Sequence, residues 1–245
     1  VSKSTVSRIF SNSGNYSDEA KRKVMEAAER LNYRKNTIAT AMKTKETKNL
    51  GLIIYKKHKP IISHPFYAPI VEAIVDSSRE KGYSIIIATD QDIENSAAES
   101  LLEKRVDGII FTGLVYEAII KKCKEMGLPL VLLNCSIDLD VSFVKADNYM
   151  GAYEAVVYFI KKKYREIGFL CGPLQDQSYY ERYRGYLAAL NDYNIQVREN
   201  LMRFGESTIS EGTRLMNSML ESGDVPRAIF ASCDMMAIGA IKAIK

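Results

Sequence analysis

The sequence predicts a two-lobed α/β body with parallel sheets, preceded by a small all-α unit. From Asn49 onward, short continuous apolar runs alternate with amphipathic helical stripes, the pattern of parallel strands covered on both faces. The alternation falls into two series that divide near Asp147. Charge divides too: residues 1–48 hold 11 Lys and Arg against 5 Asp and Glu, whereas the remainder holds 23 against 25. A basic head on a nearly neutral body points to a polyanion engaged at one end.

The elements follow in order. Residues 2–10 read as a short helix, with Ser2 as cap and Val6, Ile9 and Phe10 on one face. SNSGN (11–15) is turn chemistry. YSDEAKRKVMEAAERLNY is a second helix, capped by Ser17, with Asp18 and Glu19 in its first turn and Ala20, Val24, Ala27, Ala28 and Leu31 in one stripe. RKNTIATAMKTKETKN carries only a weak stripe (Ile38, Ala39, Met42) and reads as a linker with one marginal helix.

In the body, LGLIIY (50–55), YSIIIATD (83–90), VDGIIFTG (106–113), LPLVLLNC (128–135) and SFVKAD (142–147) read as strands. FYAPIVEAIVDSSREKG, SAAESLLEKR and EAIIKKCKEMG are the helices between them; Tyr67, Ile70, Val71, Ile74 and Val75 face inward. The second series is helix 149–163, strand IGFLCG (167–172), helix 179–193, a weak strand near Leu201–Phe204, helix 208–221, strand RAIFASC (227–233) and a helix from about Met235. In such sheets, ligands sit beyond the carboxyl ends of the strands, so two facing lobes enclose a cleft.

Several chemistries lack candidate residues. The longest apolar runs, such as LGLII and PLVLL, are too short to span a membrane, and no secretory signal is visible in the polar opening. Cys123, Cys135, Cys171 and Cys233 are scattered without a CxxC, so reduced cytosolic thiols are expected. His58 and His64 form no HExxH, and no G-x-G-x-x-G, P-loop or nucleophile–His pair exists. No catalysis, cofactor or metal is expected.

VSKSTVSRIFSNSGNYSDEAKRKVMEAAERLNY resembles the helix-turn-helix headpiece of the lactose/galactose repressor (LacI/GalR) family, with T-V-S-R, the N-S-G turn, S-x-E…R-x-K-V and L-N-Y in order. HPFYAPIVEAIVDSSREKGY, RVDGIIF, VKADNYMGAY, IGFLCGPL, ERYRGYLAAL and RAIFASCDMMAIGA resemble the family's body, so the likeness spans the chain. The resemblance implies a type I periplasmic-binding-protein-like body and four segments: headpiece 1–34, hinge 35–48, N-terminal lobe 49–147 and C-terminal lobe 148–245. It also implies a helix before VSKSTVSR and a strand-rich segment after residue 245. Without that first helix, residues 1–34 are expected to be unstable or propped by neighbours.

The resemblance assigns base contacts to Lys3 and Ser4, and bases or phosphate to Arg8; long cations and small hydroxyls suit both tasks. Ser2, Thr5, Ser7 and Asn12 would hold phosphates, unless Thr5 is packed inward. Met42 stands where the family's hinge helix usually has a Leu that wedges into a minor-groove step; its alternative role is to cover the body's surface. Lys35 replaces a frequent Pro and Thr40 a frequent Arg, changes that weaken the expected hinge.

For the cleft, the resemblance implies a small effector, a sugar, sugar phosphate or related sugar derivative, contacted by Phe66, Tyr67, Asp147, Asn148, Ser178, Arg182 and Asp234. Rings stack; carboxylates, amides and guanidinium fix hydroxyls. Tyr67 fits core packing as well, and Asp147 and Asp234 fit helix caps equally. The loop KKHKPIISHPFY is longer and more basic than the family's, and Lys56, Lys57, His58 and Lys59 there suggest an anionic effector, a solvated loop being the alternative. The function implied is a cytoplasmic repressor that binds double-stranded operator DNA as a homodimer, with half-sites one turn apart and head spacing set by the effector.

Overall fold

A computed structural model describes residues 1–11, 13–33, 46–55, 64–89, 106–113, 116–223 and 225–245. Asn12, Met42, Lys35, Thr40, Lys56, Lys57, His58 and Lys59 lie outside these residues, as do the helices expected in the linker and over SAAESLLEKR.

Two short helices open the chain: α1 (Lys3–Ser11) and α2 (Asp18–Arg30). Ser2 Oγ accepts the Thr5 amide at 3.1 Å, and Ser17 Oγ accepts that of Ala20 at 3.2 Å, so both expected caps are made. The turn between them contains Gly14 at φ +75°, a conformation glycine enters without a side-chain penalty. Ile9 and Val24 are the only deeply buried residues among those described here, helped by a tilted Phe10–Tyr33 ring contact at 5.3 Å.

Five parallel strands form the first sheet: β1 (Asn49–Ile54), β2 (Ser84–Thr89), β3 (Gly108–Thr112), β4 (Leu130–Leu133) and β5 (Ser142–Val144), in the order β2-β1-β3-β4-β5. Helices α3 (Tyr67–Glu80) and α4 (Glu117–Glu125) cross between strands. Ile53, Ile109, Phe111, Ile120, Cys123 and Leu132 make the core of this lobe 1. On α3 only Tyr67 and Ser78 are fully buried; Ile70, Val71, Ile74 and Val75 are half-buried. At the strand entrance, Asp107 accepts from the Thr47 amide (2.7 Å) and hydroxyl (2.8 Å) and from the Lys48 amide (2.8 Å). Burial opposes its ionisation, but these bonds outweigh burial and hold its carboxyl below the usual range. The carboxylate thus clamps the incoming chain to the body.

Lobe 2 is built on β6 (Ile167–Cys171), β7 (Met202–Phe204) and β8 (Ala228–Ala231), parallel in the order β7-β6-β8. Its helices are α5 (Asn148–Lys161), α6 (Gln177–Asp192), α7 (Ile209–Glu221) and α8 (Asp234–Ile244). β6 is central and buried at all five residues. Its period-2 alternation divides the core in two. Phe169 and Cys171 pack with Tyr186, Ala189 and Leu190 under α5 and α6, whereas Leu170 packs with Leu215, Met216, Met219 and Met236 under α7 and α8. Phe169 stacks on Tyr186 at 4.7 Å and on Phe230 at 5.4 Å. Gly185 lets α5 and α6 cross closely, because a Cβ there would collide with the Tyr149 carbonyl.

The weak strand expected near Leu201 starts one residue later, after a single 3₁₀ turn at Glu199–Leu201. Helix α6 starts two residues earlier than its apolar stripe suggests, because Asp176 caps it by accepting from the Ser178 amide at 2.8 Å.

Candidate functional site

Along α1 the faces separate cleanly. Lys3, Ser4, Ser7 and Arg8 are exposed, Ile9 is buried, and Thr5, Val6 and Phe10 are half-buried. The Ser2 hydroxyl lies 2.8 Å from both Ser4 Oγ and Thr5 Oγ1, so these three form one knot at the helix start. Lys3 and Arg8 are thus two exposed cations on a helix that also exposes the small hydroxyls of Ser4 and Ser7.

The cleft lies between the carboxyl ends of both sheets and has a volume of about 670 Å³. Lobe 1 lines it from His64 to Ile70, at the start of α3, and with Asn134 just beyond β4. Phe66 and Tyr67 meet edge to face at 5.0 Å, and His64 tilts over Tyr67 at 5.1 Å. The His64 Nδ1 accepts the Phe66 amide at 3.2 Å, at the helix start, where amides lack intrahelical partners. Tyr67 is buried and its hydroxyl accepts from Asn134 Nδ2 at 3.4 Å; burial pushes its ionisation well above the usual tyrosine range, so it stays a neutral phenol. Asn134 itself holds φ +58°, which turns the chain sharply into the cleft.

Lobe 2 contributes Asp176, the cap of α6, with Ser178, Tyr179 and Arg182 from α6 itself, Ser207 beyond β7, and Ala231–Met235 from the end of β8 into the start of α8. Arg182 is the most constrained. Its Nε and Nη2 donate to Asn148 Oδ1 at 3.0 and 2.8 Å, and its Nη1 donates to the Ser232 carbonyl. Its guanidinium also stands 5.5 Å from the Tyr179 ring centre. Ser232 is buried; its hydroxyl accepts the Gly172 amide at 2.9 Å, which fixes the carbonyl that Arg182 uses. Gly172 makes room for Tyr179: a Cβ there would stand 2.7 Å from the ring.

The lobes also touch directly. Gln177 Oε1 accepts the Ser136 amide at 2.9 Å, and its amide donates to Ser136 Oγ at 2.9 Å. Lys145, just past β5, pairs with Glu181 of α6 at 2.6 Å.

Of the cleft residues expected from sequence, Phe66, Tyr67, Ser178, Arg182 and Asp234 line the cavity. Asn148 stands behind it as the partner of Arg182. Asp147 is exposed and outside the lining; its carboxylate caps α5 by accepting from the Met150 amide at 2.9 Å. Asp234 makes no such cap, being the first residue of α8. Sequence reading did not pick out His64, Asn134, Asp176, Tyr179, Ser207, Ser232 or Cys233. Four of these, Asn134, Ser207, Ser232 and Cys233, follow strand ends by one to three residues, so applying the strand-end rule to every strand would have found them.

The chemistry assembled is that of recognition. Burial raises the Cys171 thiol to about 12, the Cys135 thiol to about 12 and the Cys123 thiol to about 11, so these sulfurs remain protonated and inert. No group of metal-ligating side chains occurs among the described residues, and no helix among them is long and apolar enough to cross a membrane.

Residues 1–36 match the family profile described as "Bacterial regulatory proteins, lacI family", and residues 47–245 match "Periplasmic binding proteins and sugar binding domain of LacI family". The regulator RegA of Clostridium acetobutylicum is 36% identical over 254 residues, covering 100% of this chain and 74% of its own. Catabolite control protein A of Priestia megaterium is 34% identical over 248 residues, covering 98% and 73%. The lac repressor dimer bound to operator and the anti-inducer ONPF superposes with a TM-score of 0.86 at 25% identity, covering 100% and 74%. A CelR–cellobiose complex gives 0.73 at 26% identity with the same coverage. A helix pair with a cationic face, two parallel sheets meeting at a polar cleft, and profile matches to both parts place this chain in the LacI family of bacterial transcriptional regulators.

Proposed function

We propose that this chain is a cytoplasmic repressor that binds a pseudo-palindromic operator as a homodimer and is controlled by a neutral, hydroxyl-rich effector, such as a sugar, in the cleft. The observation that carries this reading is the Arg182 fork, held by Asn148 and the Ser232 carbonyl at the junction of the lobes. A guanidinium fixed in this way still has N–H groups to offer to hydroxyl oxygens. Around it, Phe66 and Tyr179 offer faces for an apolar ring surface, and Asp176 and Asp234 offer acceptors for hydroxyl protons.

The basic loop at Lys56–Lys59 favours an anionic effector, but it lies outside the described residues. Two carboxylates and one committed guanidinium in the described lining support a neutral effector over a phosphorylated one. On the head, Lys3, Ser4 and Arg8 are the base-reading side chains of this proposal, with Ser2, Thr5 and Ser7 on phosphates. Because Ser2 Oγ already accepts the Thr5 amide, its contact with a phosphate oxygen would be made by donating the hydroxyl proton.

Calorimetry on the 245-residue chain tests the effector, using neutral mono- and disaccharides, their phosphorylated counterparts and free purines. Saturable binding confined to the neutral set, with a matching shift in operator affinity by fluorescence anisotropy, is the expected result. Preference for phosphorylated sugars or purines rejects the neutral effector.

A further inference from the structure

A second concavity lies on lobe 2, at the end of its sheet opposite the cleft. It is open, about 790 Å³, and runs between the end of α5, the loop after α6 and the entrances of β6 and β8. Lys163, Arg165 and Arg227 line it without an ion-pair partner among the described residues. Arg198 lines it as well, paired with Glu166, the one carboxylate in the lining. Tyr164 and Tyr193 stand at its edge, 38% and 42% exposed. Outside the head, acids outnumber bases in this chain, so such a concentration of cations departs from the body's average.

Lys163 adds a second observation. It occupies φ +72° immediately after the α5 cap. Glycine is the residue that suits this position, and a residue with a side chain there is strained. A cation beside a helix carboxyl end recovers only part of that strain from the helix dipole. Arg165 and Arg227, which precede strands, have no such gain.

Topology sets the kind of partner. The head joins the body where Asp107 clamps Thr47 and Lys48, at the entrance of β1. The groove lies at the entrance of β6 and β8, and the cleft lies at the exits of both sheets. The head attachment and the groove are therefore opposite poles, separated by roughly 35 Å of strand alone at about 3.3 Å per residue. Operator held by the head does not reach this groove. Cations spread along an open trough, with no buried side chain converging on one point, suit an extended polyanion better than a small ion. Tyr and Arg are the side chains most enriched at protein interfaces.

We propose that this distal groove is a docking surface for an acidic segment of a protein partner. It lies outside both the operator face and the effector cleft, so its occupancy is independent of either assignment.

The test uses the full chain and a fluorescein-labelled poly-Glu peptide, with poly-Lys of equal length and a single-stranded DNA oligonucleotide as the other arms. Wild type is expected to bind poly-Glu with an affinity that falls as salt rises, and to ignore poly-Lys. Lys163→Glu combined with Arg165→Glu and Arg227→Glu should weaken poly-Glu binding by at least about ten-fold and leave sugar binding in the cleft unchanged. Lys163→Gly guards against misfolding of that variant: it should raise the melting temperature while still weakening the peptide by about two-fold. No binding of poly-Glu, equal binding by the charge-reversed variant, or a charge reversal that weakens the oligonucleotide, which the head also binds, more than the peptide overturns the proposal.

Discussion

Lobe 1 and lobe 2 both turn strand ends toward the cleft, yet they furnish it differently. Lobe 1 supplies rings and one amide: His64, Phe66, Tyr67 and Asn134. Lobe 2 supplies one ring, Tyr179, and most of the charge and hydroxyls: Asp176, Ser178, Arg182, Ser207 and Asp234. The difference follows from what stands behind each wall. Arg182 rests on a helix packed against a fully buried strand, and two acceptors balance its desolvation. Phe66 precedes α3, its own side chain caps nothing, and it is 43% exposed. A charge needs a rigid, bonded seat to orient a ligand, whereas a ring needs only to be present. Lobe 2 therefore sets orientation and lobe 1 sets the surface on which the ligand lies.

The largest effect expected from this division is at Arg182. Arg182→Ala should cost effector affinity about 100-fold, roughly 3 kcal/mol, because a charged donor is lost and the buried Asn148 loses both of its donors. Its melting temperature should also fall. Arg182→Lys keeps the charge without the planar fork and should recover less than half of the loss in free energy. Full recovery by Lys, measured by calorimetry, would mean that lobe 2 supplies a point charge and no orientation. Phe66→Ala should cost about ten-fold, roughly 1.4 kcal/mol, with little change in thermal stability, since the ring is half in solvent. A loss at Phe66 as large as that at Arg182 breaks the contrast between the lobes.

How much of this was legible in sequence depends on which force decided each element. Where burial decides, periodicity reads well: the IGFLCG run became β6 because both of its faces are covered, and Ser17 capped α2 as expected. Where a polar side chain decides, apolar stripes mislead by a residue or two. Asp176 starts α6 ahead of its stripe by taking the Ser178 amide, and Asp147, expected in the cleft, is spent on capping α5. Arg182, Tyr67 and Ser178 were found because the family resemblance points to them. Asn134 and Ser232 were not, since an Asn and a Ser after apolar strands look like ordinary turn residues. Their role depends on partners far along the chain: Tyr67 is 67 residues from Asn134, and Arg182 is 50 residues from Ser232.

The contact between the lobes is a smaller lever. Lys145 and Glu181 are 25% and 17% exposed, so their pair is screened less than a surface pair but remains accessible to water. Lys145→Ala should change effector affinity about two- to five-fold, at most about 1 kcal/mol, and the effect should shrink in high salt. An effect that persists at high salt assigns the closed geometry to Gln177 and Ser136 instead of this pair.

The smallest expected effect lies at the far end of lobe 1, where the cleft has no say. Asp107 holds Thr47 and Lys48 through three hydrogen bonds, and these keep its folded pKa below the ordinary carboxylate value despite burial. A carboxylate with a depressed folded pKa contributes stability that is fully present above its unfolded pKa, near 3.9, and is lost as pH falls through the folded value. Asp107→Asn removes that contribution at every pH. The melting temperatures of wild type and Asp107→Asn should therefore differ by a few degrees or less near neutral pH and converge as pH drops below about 4. The group is half-buried at the rim of the sheet, so the gap should be small, and it should leave effector binding untouched, because the clamp faces the pole opposite the cleft. A gap that stays constant down to pH 3 would show that the amide reproduces none of the clamp's geometry and that charge plays no part. An effector affinity that changed with Asp107 would mean that the head's anchor and the cleft are coupled through β3, whose entrance Asp107 marks and beyond whose end the Gly113 amide donates to the carbonyl of Leu133, next to Asn134 of the cleft wall.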